Sequence, residues 1–127
     1  MKRKDFLDLI EGGEGLQVEF KRKFSTPEKI ARTMIAFANT RGGYLIFGVD
    51  DDKQVVGVES EKSEAELVKD AALNYCEPPV EYKIEYLEVH GKEVVIAAVP
   101  ESDKKPHRLQ DYLNELDLNK SVVLVRV

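Results

Sequence analysis

Three carboxylates and one lysine have the residue types and the spacing for phosphodiester chemistry. Glu19 and Lys21 lie two positions apart in the alternating segment LQVEFK, so they would project from one face of a strand. Glu14 precedes that segment, and Asp51 follows an apolar run at residues 44–49. Converging oxygen ligands suit Mg²⁺ or Mn²⁺, and a nearby lysine would stabilise charge on a scissile phosphate. The alternative is a solvated strand pair and an acidic hairpin turn.

Basic side chains form two groups that could contact the phosphates of a nucleic acid. The net charge is −5, but residues 1–41 carry nine Lys/Arg and six Asp/Glu, whereas residues 42–127 carry ten and eighteen. A polyanion contacts one face of a protein, so the local excess matters more than the net charge. The candidate contacts are Lys21, Arg22, Lys23, Lys29, Arg32 and Arg41, with Lys104, Lys105, His107 and Arg108 as a second cluster. The alternative is that these are solubilising surface charges.

Length and composition narrow the class of protein. The 127 residues fit one domain, residues 1–127, and 43% hydrophobic with 34% charged residues predicts a packed core. No apolar run approaches the roughly 20 residues that span a bilayer, so we expect a cytoplasmic protein without membrane association. Cys76 is the only cysteine, which excludes an internal disulfide and favours a core position. Neither GxxxxGK[ST] nor GxGxxG is present, which argues against a phosphate loop.

The periodicity of apolar residues predicts an α+β domain with a mixed sheet of about six strands and two to three packed helices. Thr26 and Pro27 have the order of an N-cap and a first-turn proline, and Gly42 and Gly43 separate the following helix from an apolar strand. The predicted helices cover residues 2–11, 27–39 and 61–76, with a short fourth one containing Leu109, Tyr112, Leu113 and Leu116. The predicted strands cover residues 16–21, 44–49, 54–58, 82–89, 93–99 and 121–127. Phe24 and Tyr44 are the aromatic residues left for stacking on bases.

Five segments together resemble the Schlafen-type AlbA_2 domain family. They are EGLQVEFK at residues 14–21, AFANTRGGYLIFGVDDD at 36–52, GV at 57–58, VPES at 99–102 and KPH at 105–107. The resemblance runs from about residue 11 to the terminal VRV. It implies an α+β domain described as DNA-binding or RNA-binding and common in prokaryotic regulators that have a further C-terminal region. The chain is therefore either a single domain or the N-terminal part of a longer regulator.

The resemblance also implies a catalytic alternative. Some eukaryotic Schlafen members are metal-dependent ribonucleases acting on structured RNA such as tRNA, and their two glutamates and one aspartate match Glu14, Glu19 and Asp51. Those enzymes use two related lobes, so one lobe would need a homodimer. Three functions compete: a regulator that binds DNA or RNA by its phosphate backbone, a Mg²⁺- or Mn²⁺-dependent endoribonuclease with Lys21 as electrostatic support, and a structural or assembly module of a larger regulator.

Overall fold

The computed structural model describes residues 1–21 and 25–110. Within them the chain forms three helices, α1 (Arg3–Glu11), α2 (Pro27–Ala38) and α3 (Glu61–Asn74). The strands are β1 (Val18–Lys21), β2 (Gly43–Phe47), β3 (Cys76–Glu77), β4 (Lys83–Val89), β5 (Lys92–Val99) and β6 (Arg108–Leu109). None of these helices is long and apolar enough to cross a membrane.

Four of the strands form a mixed sheet in the order β1-β2-β5-β4. The β1 and β2 strands are parallel, with α2 as the connection between them, whereas β2–β5 and β5–β4 are antiparallel. The remaining strands, β3 and β6, make a separate two-stranded antiparallel pair. Helices packed against a mixed sheet confirm the predicted α+β class.

Each face of the four-stranded sheet is covered by helix. On one face α2 and α3 pack against alternate residues such as Leu45 and Phe47. On the other face α1 contributes Phe6 and Ile10, which pack with Phe20 and the remaining alternate residues of β2 and β5. Because β2 and β5 are buried on both faces, they are apolar almost without interruption, which is why they were recognisable in the sequence.

The turn after α2 is fixed by the close approach of two backbones. The α2 helix begins as predicted, since the Thr26 side chain accepts a hydrogen bond from the Lys29 amide. At its other end Gly42 has φ +82°, and a Cβ there would lie 2.6 Å from the Val99 carbonyl oxygen. Only glycine fits this position, because the backbone there is left-handed and a side chain would collide with the end of β5. This turn anchors the helix to the end of the sheet.

Two parts of the predicted fold differ from the structure. Residues 54–58 do not form a strand: they make an isolated bridge between Val49 and Val55, and the Val56 and Gly57 amides both donate to the Gly48 carbonyl. A shared acceptor replaces the regular ladder of a hairpin, so the prediction of a hairpin strand is wrong. The pair β3 and β6 was not predicted, and Leu109, expected in a helix, lies in β6. Residues 112, 113, 116 and 121–127, to which the remaining predictions refer, lie outside the described residues.

Candidate nucleic-acid interface

The strongest concentration of positive charge lies in residues 21–41, which we call the basic segment. It holds six of the chain's 19 Lys/Arg but one of its 24 Asp/Glu, Glu28. The fold turns this stretch into the end of β1, helix α2 and the turn after it, with Arg22 and Lys23 outside the described residues. An acidic chain therefore carries its positive excess on one helix and the two segments that flank it.

The solvent side of α2 carries two of these cations. Lys29 and Arg32 are three positions apart and both are exposed, so they lie on one face of the helix. Arg32 Nη2 lies 3.0 Å from Glu28 Oε2, and both side chains are more than half exposed. Such a surface pair contributes about 0–1 kcal/mol, so a phosphate could displace the carboxylate at little cost. Lys29 makes no salt bridge to any of the described residues.

Several other predicted cations already have carboxylate partners. Lys21 Nζ lies 3.6 Å from Glu19 Oε2, and Arg108 Nη2 lies 3.5 Å from Glu77 Oε1. Lys105 forms a salt bridge with Glu101, and that hydrogen bond, with the charge of Arg41 as a smaller contribution, lowers the pKa of the Glu101 carboxyl.

In the second predicted cluster Lys104 is exposed, with its amide donating to Ser102 Oγ. Lys105 and Arg108 of this cluster thus pair with carboxylates, as Lys21 and Arg32 of the basic segment do.

His107, a predicted phosphate contact, is an interior residue. Its side chain is buried, and both ring nitrogens have protein partners. Nδ1 lies 2.8 Å from the Pro78 carbonyl oxygen and therefore donates, since a carbonyl only accepts. Nε2 lies 2.6 Å from Ser102 Oγ. The structure thus corrects the expectation for His107, because its ring is buried and both ring nitrogens contact protein groups.

The side chain of Asn39 joins the two most distinctive segments of the sequence. Asn39 Nδ2 donates to the His107 carbonyl at 3.0 Å, and the His107 amide donates back to Asn39 Oδ1 at 2.8 Å. We call this reciprocal pair the Asn39 bracket. Beside it the Ser102 amide donates to the Ala38 carbonyl. The strings AFANTRGG, VPES and KPH, which are far apart in the sequence, therefore contact one another in the fold.

The three acids of the predicted metal site differ in their individual contacts. Glu14 Oε2 accepts a hydrogen bond from the Phe20 amide at 2.9 Å and so holds the start of β1. Glu19 pairs with Lys21. Asp51 is exposed in a turn in which Asp50 Oδ1 accepts hydrogen bonds from the backbone amides of residues 52 and 54. Across residues 1–21 and 25–110, no group of three or more His, Cys, Asp or Glu is arranged to hold a metal ion. The catalytic roles of Glu14, Glu19, Lys21 and Asp51 stay predictions.

Comparison with known protein families shows which family the chain belongs to. The model of the Schlafen, AlbA_2 family matches residues 14–127. The chain belongs to this family. The resemblance drawn from the five segments is thereby confirmed, and the match includes both partners of the Asn39 bracket.

Relatives of this AlbA_2 domain occur within larger proteins. A Ureaplasma parvum protein described as an uncharacterized ATP-binding protein, UU034, is 32% identical over 91 residues; the match covers 67% of this chain and 26% of that protein. The chain thus spans about a quarter of that relative. The N-terminal domain of a Nitrosomonas europaea protein described as ATP-dependent DNA helicase RecG-related has a similar solution structure, with a TM-score of 0.67 and 28% identity, covering 84% of this chain and 78% of that domain. The Corynebacterium diphtheriae protein DIP2311 has a similar structure, with a TM-score of 0.51 and 22% identity, covering 68% of this chain and 20% of that protein's chain. At this identity the likeness shows the fold alone.

One cation of the AlbA_2 domain was missed in the sequence. Lys83 begins β4 and is exposed, and with Arg41 it lines a cavity at the end of the sheet. The two residues are far apart in the chain, and Lys83 lies among alternating residues typical of any half-exposed strand. No local signal could have distinguished it, because its position beside Arg41 depends on the pairing of β4 with β5 and of β5 with β2.

Proposed function

We propose that this AlbA_2 domain is the nucleic-acid-binding module of a regulator and that it contacts the phosphate backbone through the basic segment. The observation that carries the proposal is the concentration of six cations and one acid in residues 21–41, on α2 and its flanks, in a chain whose net charge is −5. The likeness to the N-terminal domain of a protein described as DNA helicase-related supports the same class of partner.

The energetics follow from the polyelectrolyte character of nucleic acid. Each Lys or Arg that neutralises a phosphate releases condensed counterions, so affinity falls as salt is added, with a log–log slope of about −0.9 for each contact on duplex DNA. Lys29 and Arg32 lie on one exposed helix face, so two neighbouring phosphates could be contacted without rearranging the core. Contacts of this kind fix position on the backbone and carry no sequence information directly.

Fluorescence anisotropy with labelled duplex DNA and with tRNA, over a series of salt concentrations, tests the proposal. We expect wild-type binding to weaken with salt, and the double variant Lys29→Ala/Arg32→Ala to bind more weakly with a salt slope about one to two units shallower. The matched control is Lys62→Ala/Lys69→Ala, which removes two exposed cations from α3. Absent or salt-independent binding to both nucleic acids, or equal weakening by the control, would refute the proposal.

The endoribonuclease alternative stays a prediction, since no observation on the described residues favours it. Incubation of tRNA with and without Mn²⁺, beside Glu19→Ala, separates cleavage from binding. Chelator-sensitive cleavage that Glu19→Ala abolishes would support the catalytic alternative.

A further inference from the structure

A cavity of about 450 Å³ opens at the end of the sheet where β2 begins and β5 ends. Its size falls within the range of roughly 300–1,000 Å³ typical of small-molecule sites. Tyr44 and Lys83 both lie in register with Ala98, one on each side of it, so the three side chains share a face of the sheet. The small Ala98 side chain leaves the space between its two larger neighbours. We call this space the Arg41–Lys83 cavity, since Arg41 lines it from the turn after α2.

The cavity is positively charged although the protein is acidic. Its lining includes Arg41, Lys83 and the amide-bearing Gln17, but no carboxylate. Neither cation forms a salt bridge with a residue in the described parts of the chain. The nearby Glu101 carboxylate is engaged by Lys105. Two cations that form no salt bridge with the described residues, at one concave surface, are suited to an anion, and a guanidinium matches the oxygens of a phosphate in a bidentate geometry.

The rest of the lining is apolar. Tyr44, Ala98 and Pro100 contribute ring and aliphatic surface beside the two cations. A bare phosphate would leave that surface exposed, whereas a nucleotide has a planar base and a sugar to place against it. The charge and the lining therefore match one chemical class, a nucleotide with its phosphate directed at Arg41 and Lys83.

We propose that the Arg41–Lys83 cavity binds a nucleotide, either free or within a strand. This inference does not rest on the proposed function, because a free nucleotide would satisfy the cavity without any backbone contact by α2. Arg41 belongs to both the basic segment and the cavity, but the cations of α2 and the cavity lie on different sides of the sheet. Tyr44 packs with the core that α1 covers, whereas α2 packs on the opposite face and directs Lys29 and Arg32 to solvent.

Isothermal titration calorimetry tests the inference with AMP, ATP, inorganic phosphate and a short single-stranded oligonucleotide with and without a 5′-phosphate. We expect at least one of the nucleotide probes to bind more tightly than inorganic phosphate. Lys83→Ala removes a charge-assisted contact and should weaken binding roughly ten- to a hundredfold. Ala98→Leu fills the cavity without changing a charge and should abolish binding. Lys62→Ala is the control for the loss of one exposed lysine on α3.

The probes also distinguish the source of the nucleotide. Tighter binding of AMP or ATP identifies a free nucleotide, and tighter binding of the oligonucleotide identifies one within a strand. The inference is overturned if no nucleotide probe binds, or if Lys83→Ala behaves like Lys62→Ala; this second comparison stands even if Ala98→Leu fails to fold. Lys29→Ala/Arg32→Ala should keep AMP and ATP binding. If the wild-type chain binds a nucleotide probe but shows no salt-dependent binding to duplex DNA or tRNA, the proposed function alone is refuted.

Discussion

Replacing Asn39 with alanine tests whether the most recognisable string of the sequence is architectural. The substitution removes both hydrogen bonds of the Asn39 bracket, at 2.8 and 3.0 Å, and leaves the backbone amide and carbonyl of the buried His107 without those partners. Each lost bond costs about 0.5–1.5 kcal/mol, and leaving a buried group unsatisfied raises the cost, so we expect a loss of about 2–4 kcal/mol in the free energy of unfolding. That is a large fraction of the roughly 5–15 kcal/mol of a typical domain.

Urea denaturation followed by circular dichroism measures this loss. With an m-value of about 2 kcal/mol/M, the urea midpoint should fall by about 1–2 M. Asn74→Ala is the matched control, because Asn74 Nδ2 donates to Asp70 Oδ1 at 2.8 Å on the exposed side of α3. We expect the control to change stability by less than about 0.5 kcal/mol. Equal midpoints for Asn39→Ala and Asn74→Ala would show that the bracket does not stabilise the fold.

Two further predictions concern the turn after α2 and the buried thiol. Gly42→Ala should lower the free energy of unfolding by more than about 2 kcal/mol, because the new Cβ would lie 2.6 Å from the Val99 carbonyl oxygen. The control Gly91→Ala also has a positive φ but lies in open space, so it should lower the free energy of unfolding by only about 1–2 kcal/mol. Equal urea midpoints for the two variants would contradict this difference. Burial raises the pKa of the Cys76 thiol from 9.0 to about 11, so iodoacetamide at pH 8.5 should leave the folded protein unmodified and alkylate it in urea, as measured by mass spectrometry. Since the folded state favours the neutral thiol, this contribution to stability is complete below pH 9 and is lost as the pH rises towards 11. Rapid alkylation of the folded chain would show that Cys76 is accessible.

Local patterns were sufficient for the long elements. The α2 helix was predicted from an N-cap, a first-turn proline and a regular apolar stripe, and β2 and β5 from apolar runs typical of strands buried on both faces. The short strands β3 and β6 were missed because two residues provide no periodicity. Residues 54–58 have the composition of a strand, but they lack a regular partner strand. The Val56 and Gly57 amides donate to the one Gly48 carbonyl, and the Val58 amide donates to the Glu93 carbonyl of β5.

For the candidate site, the sequence alone determined the charge imbalance, with six cations and one acid in residues 21–41, and the family strings. Only the tertiary structure decided which of these residues are accessible. In the fold His107 is buried and both of its ring nitrogens contact protein groups, and Glu14 accepts a hydrogen bond from a backbone amide. Lys83 and Arg41 line the same cavity. The physical reason is that charge and periodicity are properties of neighbours along the chain, whereas burial and the meeting of distant side chains depend on the order and register of strands.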